Sequence, residues 1–155
     1  MKNLFLLRHA KSSWDNAALG DFDRPLSKRG ISNAIQLSEY IQKHSISFDL
    51  VLSSPSERTQ STLDLVLNPF DPIPTTSLKE SIYHASPSNL SQLIKELDDE
   101  INNLLIIGHN PGLHILTETL TNESIVKFPT CALAKITNFN PVSYTHLTLP
   151  TNREV

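Results

Sequence analysis

Leu4-Phe5-Leu6-Leu7-Arg8-His9-Ala10-Lys11-Ser12 places four consecutive large apolar residues directly before a cation and an imidazole. Such a run reads as a buried strand, over about residues 3–8, whose carboxyl end delivers Arg8 and His9 to the edge of a sheet. Open α/β sheets take their ligands at that edge. Alone, the segment fits a core strand with an ordinary polar exit equally well. Two later strand ends carrying matching residues tip the balance.

The first of these is a strand over 48–53 that runs into Ser53-Ser54-Pro55-Ser56-Glu57-Arg58-Thr59. A serine cap, a proline in the first turn and a following glutamate announce a helix start with Arg58 in its first turn. Aimed at the sheet edge, Arg58 shares a crevice with Arg8; aimed outward, it is a solvated arginine paired with Glu57 or Asp64. The second is the strand 104–108, which ends in Gly108-His109-Asn110-Pro111-Gly112. Asn110 as cap and Pro111 as first helical residue would start a helix whose free N–H groups face the crevice. His109 then occupies the same kind of position as His9.

The remaining elements follow from periodicity. A helix is expected from near Ser27, with Ile31, Ala34, Ile35, Leu37 and Ile41 on its apolar face. The loop 11–25 that precedes it holds Ser12, Trp14, Asp15 and Asp23, and a long aperiodic loop directly after Arg8-His9 favours function. A proline-bounded linker over 69–74 leads to a short extended piece, 74–78. Leu90, Leu93, Ile94, Leu97 and Ile101 define the next helix, capped by Ser88 or Asn89. The acids 98–100 near its end face different directions and read as solvated rather than as a metal site. A last strand is expected over 132–139. Strands alternating with helices at these intervals predict a three-layer α/β/α sandwich with a mostly parallel central sheet. From residue 141 the periodic patterns stop. The stretch 141–155 reads as a translated sequencing adaptor or assembly scar, leaving 1–140 as the domain, with a genuine short extended tail as the other reading.

Composition narrows the class. A chain of 155 residues, 39% hydrophobic and 19% charged, is expected to form one globular domain. A net charge of -3 leaves no footprint for nucleic acid. Cys131 is the single cysteine, which excludes an internal disulfide and fits a reducing compartment. No apolar run is long enough for a bilayer and none reads as a signal peptide, so a cytoplasmic protein without membrane contact is expected, and a monomer.

Two arginines and two histidines from three separate strand ends make a pocket suited to a tetrahedral dianion. A guanidinium fork engages two phosphate oxygens at once. A neutral imidazole can attack phosphorus through one ring nitrogen, and nearby guanidiniums help to keep it neutral. The expected chemistry is phosphoryl transfer without metal or cofactor.

Arg8-His9 with Ser12, Arg58 in Ser-Ser-Pro-x-x-Arg, and His109 in Gly-His-Asn-Pro-Gly together resemble the histidine phosphatase superfamily, the phosphoglycerate-mutase-like fold. Arg-His-Ala-Lys-Ser-Ser-Trp, the short length and Phe128-Pro129-Thr130-Cys131-Ala132-Leu133-Ala134 are most similar to its small SixA-type phosphohistidine phosphatases. The resemblance implies that His9 is the nucleophile that becomes phosphorylated, and that Arg8, Arg58 and His109 form the phosphate pocket. Ser12 and Asp15 lie where larger members place polar residues of the phosphate loop. Asp15 departs from their asparagine, and a carboxylate there would repel phosphate, so no ligand role falls to it.

The general acid is the open assignment. Glu80 lies near where related enzymes carry a catalytic glutamate, or it is a surface residue beside Lys79. A phosphohistidine substrate relaxes the need, because imidazole leaves far more easily than an alkoxide. Tyr83 and His84 line the entrance or simply pack. His44 reads as a solvated residue of a helix end, and His114 as structural. Asp21-Phe22-Asp23 resembles the aspartate pair of metal-dependent phosphatases but follows Ala-Leu-Gly rather than a buried strand, and Cys131 has no arginine six positions on. Three functions follow as expectations. The first is a protein phosphohistidine phosphatase acting on a phosphotransfer domain. The others are a small-molecule phosphomonoesterase that depends on Glu80 and a phosphate-binding module without turnover.

Overall fold

The computed structural model describes residues 2–137 and the backbone of 146–148. The rest of the stretch 141–155, and with it the reading of that stretch as a non-native tail, lies outside the described residues. The strands are β1 (Asn3–Arg8), β2 (Leu50–Ser53), β3 (Thr76–Leu78), β4 (Asn103–Gly108), β5 (Leu133–Thr137) and β6 (His146–Thr148). The helices are α1 (Lys28–Lys43), α2 (Glu57–Leu67), α3 (Pro87–Lys95) and α4 (Gly112–Thr121). The sheet runs β3-β2-β4-β1-β5-β6, with β3, β2, β4 and β1 parallel, β5 antiparallel to β1, and β6 antiparallel to β5. The mostly parallel α/β/α sandwich expected from the sequence is present.

Period-two alternation divides the core into two layers. Leu4, Leu6, Leu104 and Ile106 face α3 and α4, meeting Leu90, Ile94, Leu113 and Leu116. Phe5, Leu7, Leu105 and Ile107 face α1 and α2, meeting Ala34, Leu37, Ile41 and Val66. Strands buried on both faces read as continuous apolar runs, which is why β1 and β4 stand out in the sequence. Each of these leucines and isoleucines contributes roughly 2 kcal/mol by leaving water.

Several local expectations are corrected. Ile31 and Ile35 are 41% and 45% exposed, so the inner face of α1 is not the apolar stripe drawn through them. Gly30, Asn33 and Ser38 are buried with Ala34, Leu37 and Ile41 instead. The rotation has a steric cause: at Gly30 the helix lies against the Lys11 backbone so closely that a Cβ would strike the Lys11 carbonyl oxygen. The helix begins near Ser27 as expected, and Ser27 caps it, its Oγ accepting from Gly30 N–H at 3.1 Å and donating to the Lys11 carbonyl at 3.1 Å.

Helix α2 starts after Ser56, whose Oγ accepts from Thr59 N–H, so Pro55 precedes the cap rather than sitting in the first turn. Ser86 caps α3, with Pro87 at its start, in place of Ser88 or Asn89. That helix ends at Lys95, and Leu97 and Ile101 pack on the core from the chain beyond it. Asp98, Asp99 and Glu100 are exposed, as expected. Asn110 does not cap α4; its amide donates to the Phe128 carbonyl at 2.8 Å. At Gly112 a Cβ would meet the Ala85 carbonyl, so glycine lets the start of α4 press against the turn that carries Tyr83 and His84.

Candidate active site

The carboxyl ends of β1 and β4 are neighbours, with Arg8 paired to Gly108 in register. His9 N–H donates to the Gly108 carbonyl at 3.1 Å, and Ser54 N–H, just past β2, donates to Ile107 at 3.0 Å. Thr62 Oγ1 accepts from Ala10 N–H at 2.9 Å and donates to the Arg58 carbonyl at 2.7 Å, which locks the first turns of α2 onto the end of β1. These bonds put residues far apart in sequence around one cavity of about 250 Å³, lined by Arg8, His9, Lys11, Ser12, Trp14, Arg24, Arg58, His84, His109, Asn110 and Thr130.

Arg58 is the hub. Its side chain is 4% exposed. Its Nε donates to His9 Nε2 at 3.3 Å and its Nη2 to His109 Nδ1 at 3.3 Å. The two imidazoles stand 5.3 Å apart, centroid to centroid.

The partners of each ring set its tautomer. His9 Nδ1 lies 2.7 Å from the Ala10 carbonyl, which only accepts, so Nδ1 carries the proton and Nε2 presents a lone pair to the cavity. His109 Nδ1 accepts from Arg58, so its Nε2 carries the proton, toward Ser54 Oγ at 2.8 Å.

Burial first, then the charges of Arg58, Arg8 and Arg24, lower His9 to about 4, against the opposing pull of the Ala10 carbonyl. Burial likewise leads in lowering His109 to about 3, helped by His9 and Arg58. Both rings are neutral near pH 7.

The sequence reading did not anticipate Asp21. Its Oδ2 accepts from Arg58 Nη2 at 3.0 Å and from Tyr83 Oη at 2.7 Å, and lies 3.3 Å from His84 Nε2. Its Oδ1 accepts from Arg24 Nη2 at 3.3 Å, and its carbonyl accepts from Arg58 Nη1 at 2.7 Å. Burial pushes this carboxyl up, but hydrogen bonds from Tyr83 and Arg58 and the Arg58 charge outweigh it and hold the group well below the usual carboxylate range. Asp21 reaches the site because the loop folds back on itself: Ser12 bridges to Leu26, and Ser13 N–H donates to the Pro25 carbonyl at 2.8 Å. The only local hint is the Asp21/Arg24 pair, three residues apart. The aspartate-pair chemistry set aside from Asp21-Phe22-Asp23 is a separate matter; Asp21 acts here through arginines.

The other candidates divide. Arg8 lines the cavity and donates from Nη1 to the Phe128 carbonyl at 3.1 Å. Ser12 also lines it, with its hydroxyl accepting from Arg24 Nη1 at 2.7 Å, while Trp14 covers that guanidinium at 3.5 Å. His84 stands at the mouth, stacked on His109 at 5.7 Å. Glu80 is exposed and is not among the lining residues, and Asp15 is exposed. His44 is exposed at the end of α1, as expected, and donates from Nδ1 to the Tyr40 carbonyl at 2.9 Å; His114 is structural, as expected, and donates from Nε2 to the Ile125 carbonyl at 2.8 Å. Cys131 is buried, its thiol pushed up to about 12 by burial, which leaves it unreactive.

Three arginines and two neutral imidazoles around a small cavity suit a tetrahedral oxyanion, and the Asp21 carboxylate already occupies part of the Arg58 fork. Replacing Asp21→Asn removes the charge but keeps the backbone carbonyl and a side-chain acceptor on Arg58. Inorganic phosphate is therefore expected to bind about tenfold tighter by calorimetry. An unchanged or weaker affinity would show that the carboxylate does not compete with the anion.

The family description "histidine phosphatase superfamily (branch 1)" matches residues 4–85, a segment that carries Arg8, His9, Asp21 and Arg58. An uncharacterised chloroplastic protein of Arabidopsis thaliana is 32% identical over 152 residues, which covers 89% of this chain and 67% of that protein. A solved structure from Agrobacterium tumefaciens, assigned as phosphohistidine phosphatase SixA, superposes with a TM-score of 0.82 at 27% identity, covering 88% of this chain and 91% of that one. The protein histidine phosphatase SixA in complex with tungstate has the same fold, with a TM-score of 0.82 at 22% identity over 96% of this chain and 94% of that one.

Proposed function

This chain belongs to the histidine phosphatase superfamily, and on that premise we propose that it removes phosphoryl groups from histidine on a protein through a phosphorylated His9. The observation that carries the reading is the defined state of His9: a neutral ring, Nδ1–H anchored on the Ala10 carbonyl, and an unprotonated Nε2 on the cavity side that accepts from Arg58 Nε at 3.3 Å.

In the first step Nε2 attacks phosphorus, the bond from phosphorus to the substrate imidazole breaks, and that imidazole departs neutral with its distal nitrogen protonated. The phosphorylated His9 ring is then cationic, and its Nδ1–H points at a carbonyl that favours the charge. Arg8, Arg58 and Arg24 balance the phosphoryl oxygens throughout. In the second step water attacks phosphorus, the P–Nε2 bond breaks, the water proton passes to solvent, and phosphate leaves a neutral His9. The incoming dianion raises the proton affinity of His109, whose Nδ1 stands ready to take up a proton and donate it to a phosphoryl oxygen.

The carboxyl state favours an imidazole leaving group over an alkoxide. Asp21 is held ionised, and Glu80 lies outside the cavity lining, so neither carboxyl offers a proton to a departing alcohol. A phosphoramidate needs less help, since the conjugate acid of its leaving group has a pKa of ~6.5. The test is incubation with radiolabelled phosphohistidine protein and, separately, with simple phosphate monoesters. We expect release of phosphate from the protein at least ~100-fold faster, by kcat/KM, than from esters with alkyl leaving groups. Preference for the alkyl esters would overturn the phosphohistidine reading in favour of a small-molecule phosphomonoesterase, and tight binding without release would favour a phosphate-binding module.

A further inference from the structure

A second concavity, of about 500 Å³, opens beside the catalytic cavity and shares Arg8, Lys11, Asn110 and Thr130 with it. The reaction steps above use Arg8 but nothing else of this groove. Its outer part is formed by the segment 126–130, where Val126 is 95% exposed and Lys127 is exposed. Phe128 fixes that segment to the site, because its carbonyl accepts from both Arg8 Nη1 at 3.1 Å and Asn110 Nδ2 at 2.8 Å. The groove is thus held at a set distance from the phosphoryl position. Arg8 Nε and Asn110 Oδ1, both in groove residues, are buried without a partner among the described residues.

Charge separates this surface from the rest of the molecule. The chain carries 16 acids against 13 lysines and arginines, yet among the described residues the groove is lined by Arg8, Lys11 and Lys127 and by no carboxylate. Glu118 is not among the lining residues; its Oε2, 3.8 Å from His114 Nε2, accepts the Ile125 N–H at 2.8 Å. We propose that the groove seats the acidic polypeptide segment that flanks the phosphorylated residue, with its carboxylates over Lys11 and Lys127 and an apolar side chain against Val126. A free phosphometabolite would leave most of this volume empty, whereas a chain continuing from the phosphoryl group across the shared residues Arg8, Lys11, Asn110 and Thr130 would fill it. Complementary charge of this kind raises the encounter rate and fails in high salt.

The inference rests on the reading of the neighbouring cavity as the phosphoryl site, but not on which phosphorylated residue is cleaved. The experiment uses the whole chain and three peptides with the same phosphorylated residue flanked by aspartates, by serines or by lysines. Each peptide is made with phosphohistidine and with phosphoserine, and para-nitrophenyl phosphate serves as a substrate without flanks. The acid-flanked peptide is expected to exceed the serine-flanked one about tenfold in kcat/KM at low salt, with the advantage lost in 0.5 M salt (a screening length of roughly 4 Å). Lys127→Glu is expected to invert the order of the acidic and basic peptides while leaving para-nitrophenyl phosphate unchanged. Equal rates for all three peptides, cleavage of para-nitrophenyl phosphate but of no peptide, or a Lys127→Glu loss that is the same for both substrate types would each overturn it. If only the phosphoserine set is cleaved, the phosphohistidine reading fails while the flank ratio still decides this one.

Discussion

Replacing His9 with alanine is expected to lower turnover by roughly four to six orders of magnitude and to abolish labelling of the protein from a labelled phosphohistidine substrate. The loss is chemical rather than conformational. His9 sits past the end of β1, and the strand is held by its ladder to β4 and β5 and by the Leu4–Leu7 side chains, none of which the substitution touches. The anion pocket also survives: Arg8, Arg24, His109 and the Arg58 fork remain, with Arg58 still anchored on Asp21 at 2.7 and 3.0 Å. The expected signature is therefore an inert protein that still binds inorganic phosphate. Label that persists in His9→Ala would move the nucleophile elsewhere, and His109, 5.3 Å away, would be the next ring to replace.

Arg8, His9, Arg58 and His109 were readable from the sequence for one reason. Each follows a buried strand within a few residues, and a parallel α/β sheet brings the carboxyl ends of its strands to one edge. Apolar runs are strong signals, so residues attached to their ends inherit that certainty. Asp21 has no such anchor. It lies in an aperiodic loop whose path is set by a bridge from Ser12 to Leu26 and by a hydrogen bond from Ser27 N–H to the Lys11 carbonyl at 2.9 Å, contacts with no local sequence signature. The face of α1 was misread for a related reason. Counting apolar residues favours Ile31 and Ile35, but close approach to the Lys11 backbone selects Gly30, a residue that such counting ignores. Glu80 keeps the place in the chain order that the resemblance gives it, with an exposed side chain outside the cavity lining.

Arg58 carries the second large effect, and two substitutions separate its charge from its shape. Its guanidinium contacts both imidazoles and Asp21 from a single buried position, so Arg58→Ala removes the proposed phosphoryl ligand together with a charge that depresses both rings. A fall in kcat/KM of about three to four orders of magnitude is expected. Arg58→Lys keeps the charge but cannot present two parallel donors, and a fall of about two to three orders is expected. The acid limb of the pH profile tells the two apart. The proposed reaction requires neutral His9, whose pKa is lowered to about 4 by burial first and, among the charges, by Arg58 most. Without the Arg58 charge the His9 pKa rises, though short of its ordinary value because burial persists, so the acid limb of Arg58→Ala moves to higher pH. In Arg58→Lys a positive charge still stands beside the ring, and the limb stays near its original position. Equal displacement of the limb in both variants would show that the geometry of the fork, rather than its charge, keeps His9 unprotonated. Near-full activity in Arg58→Lys would show that bidentate contact is not what holds the phosphoryl group.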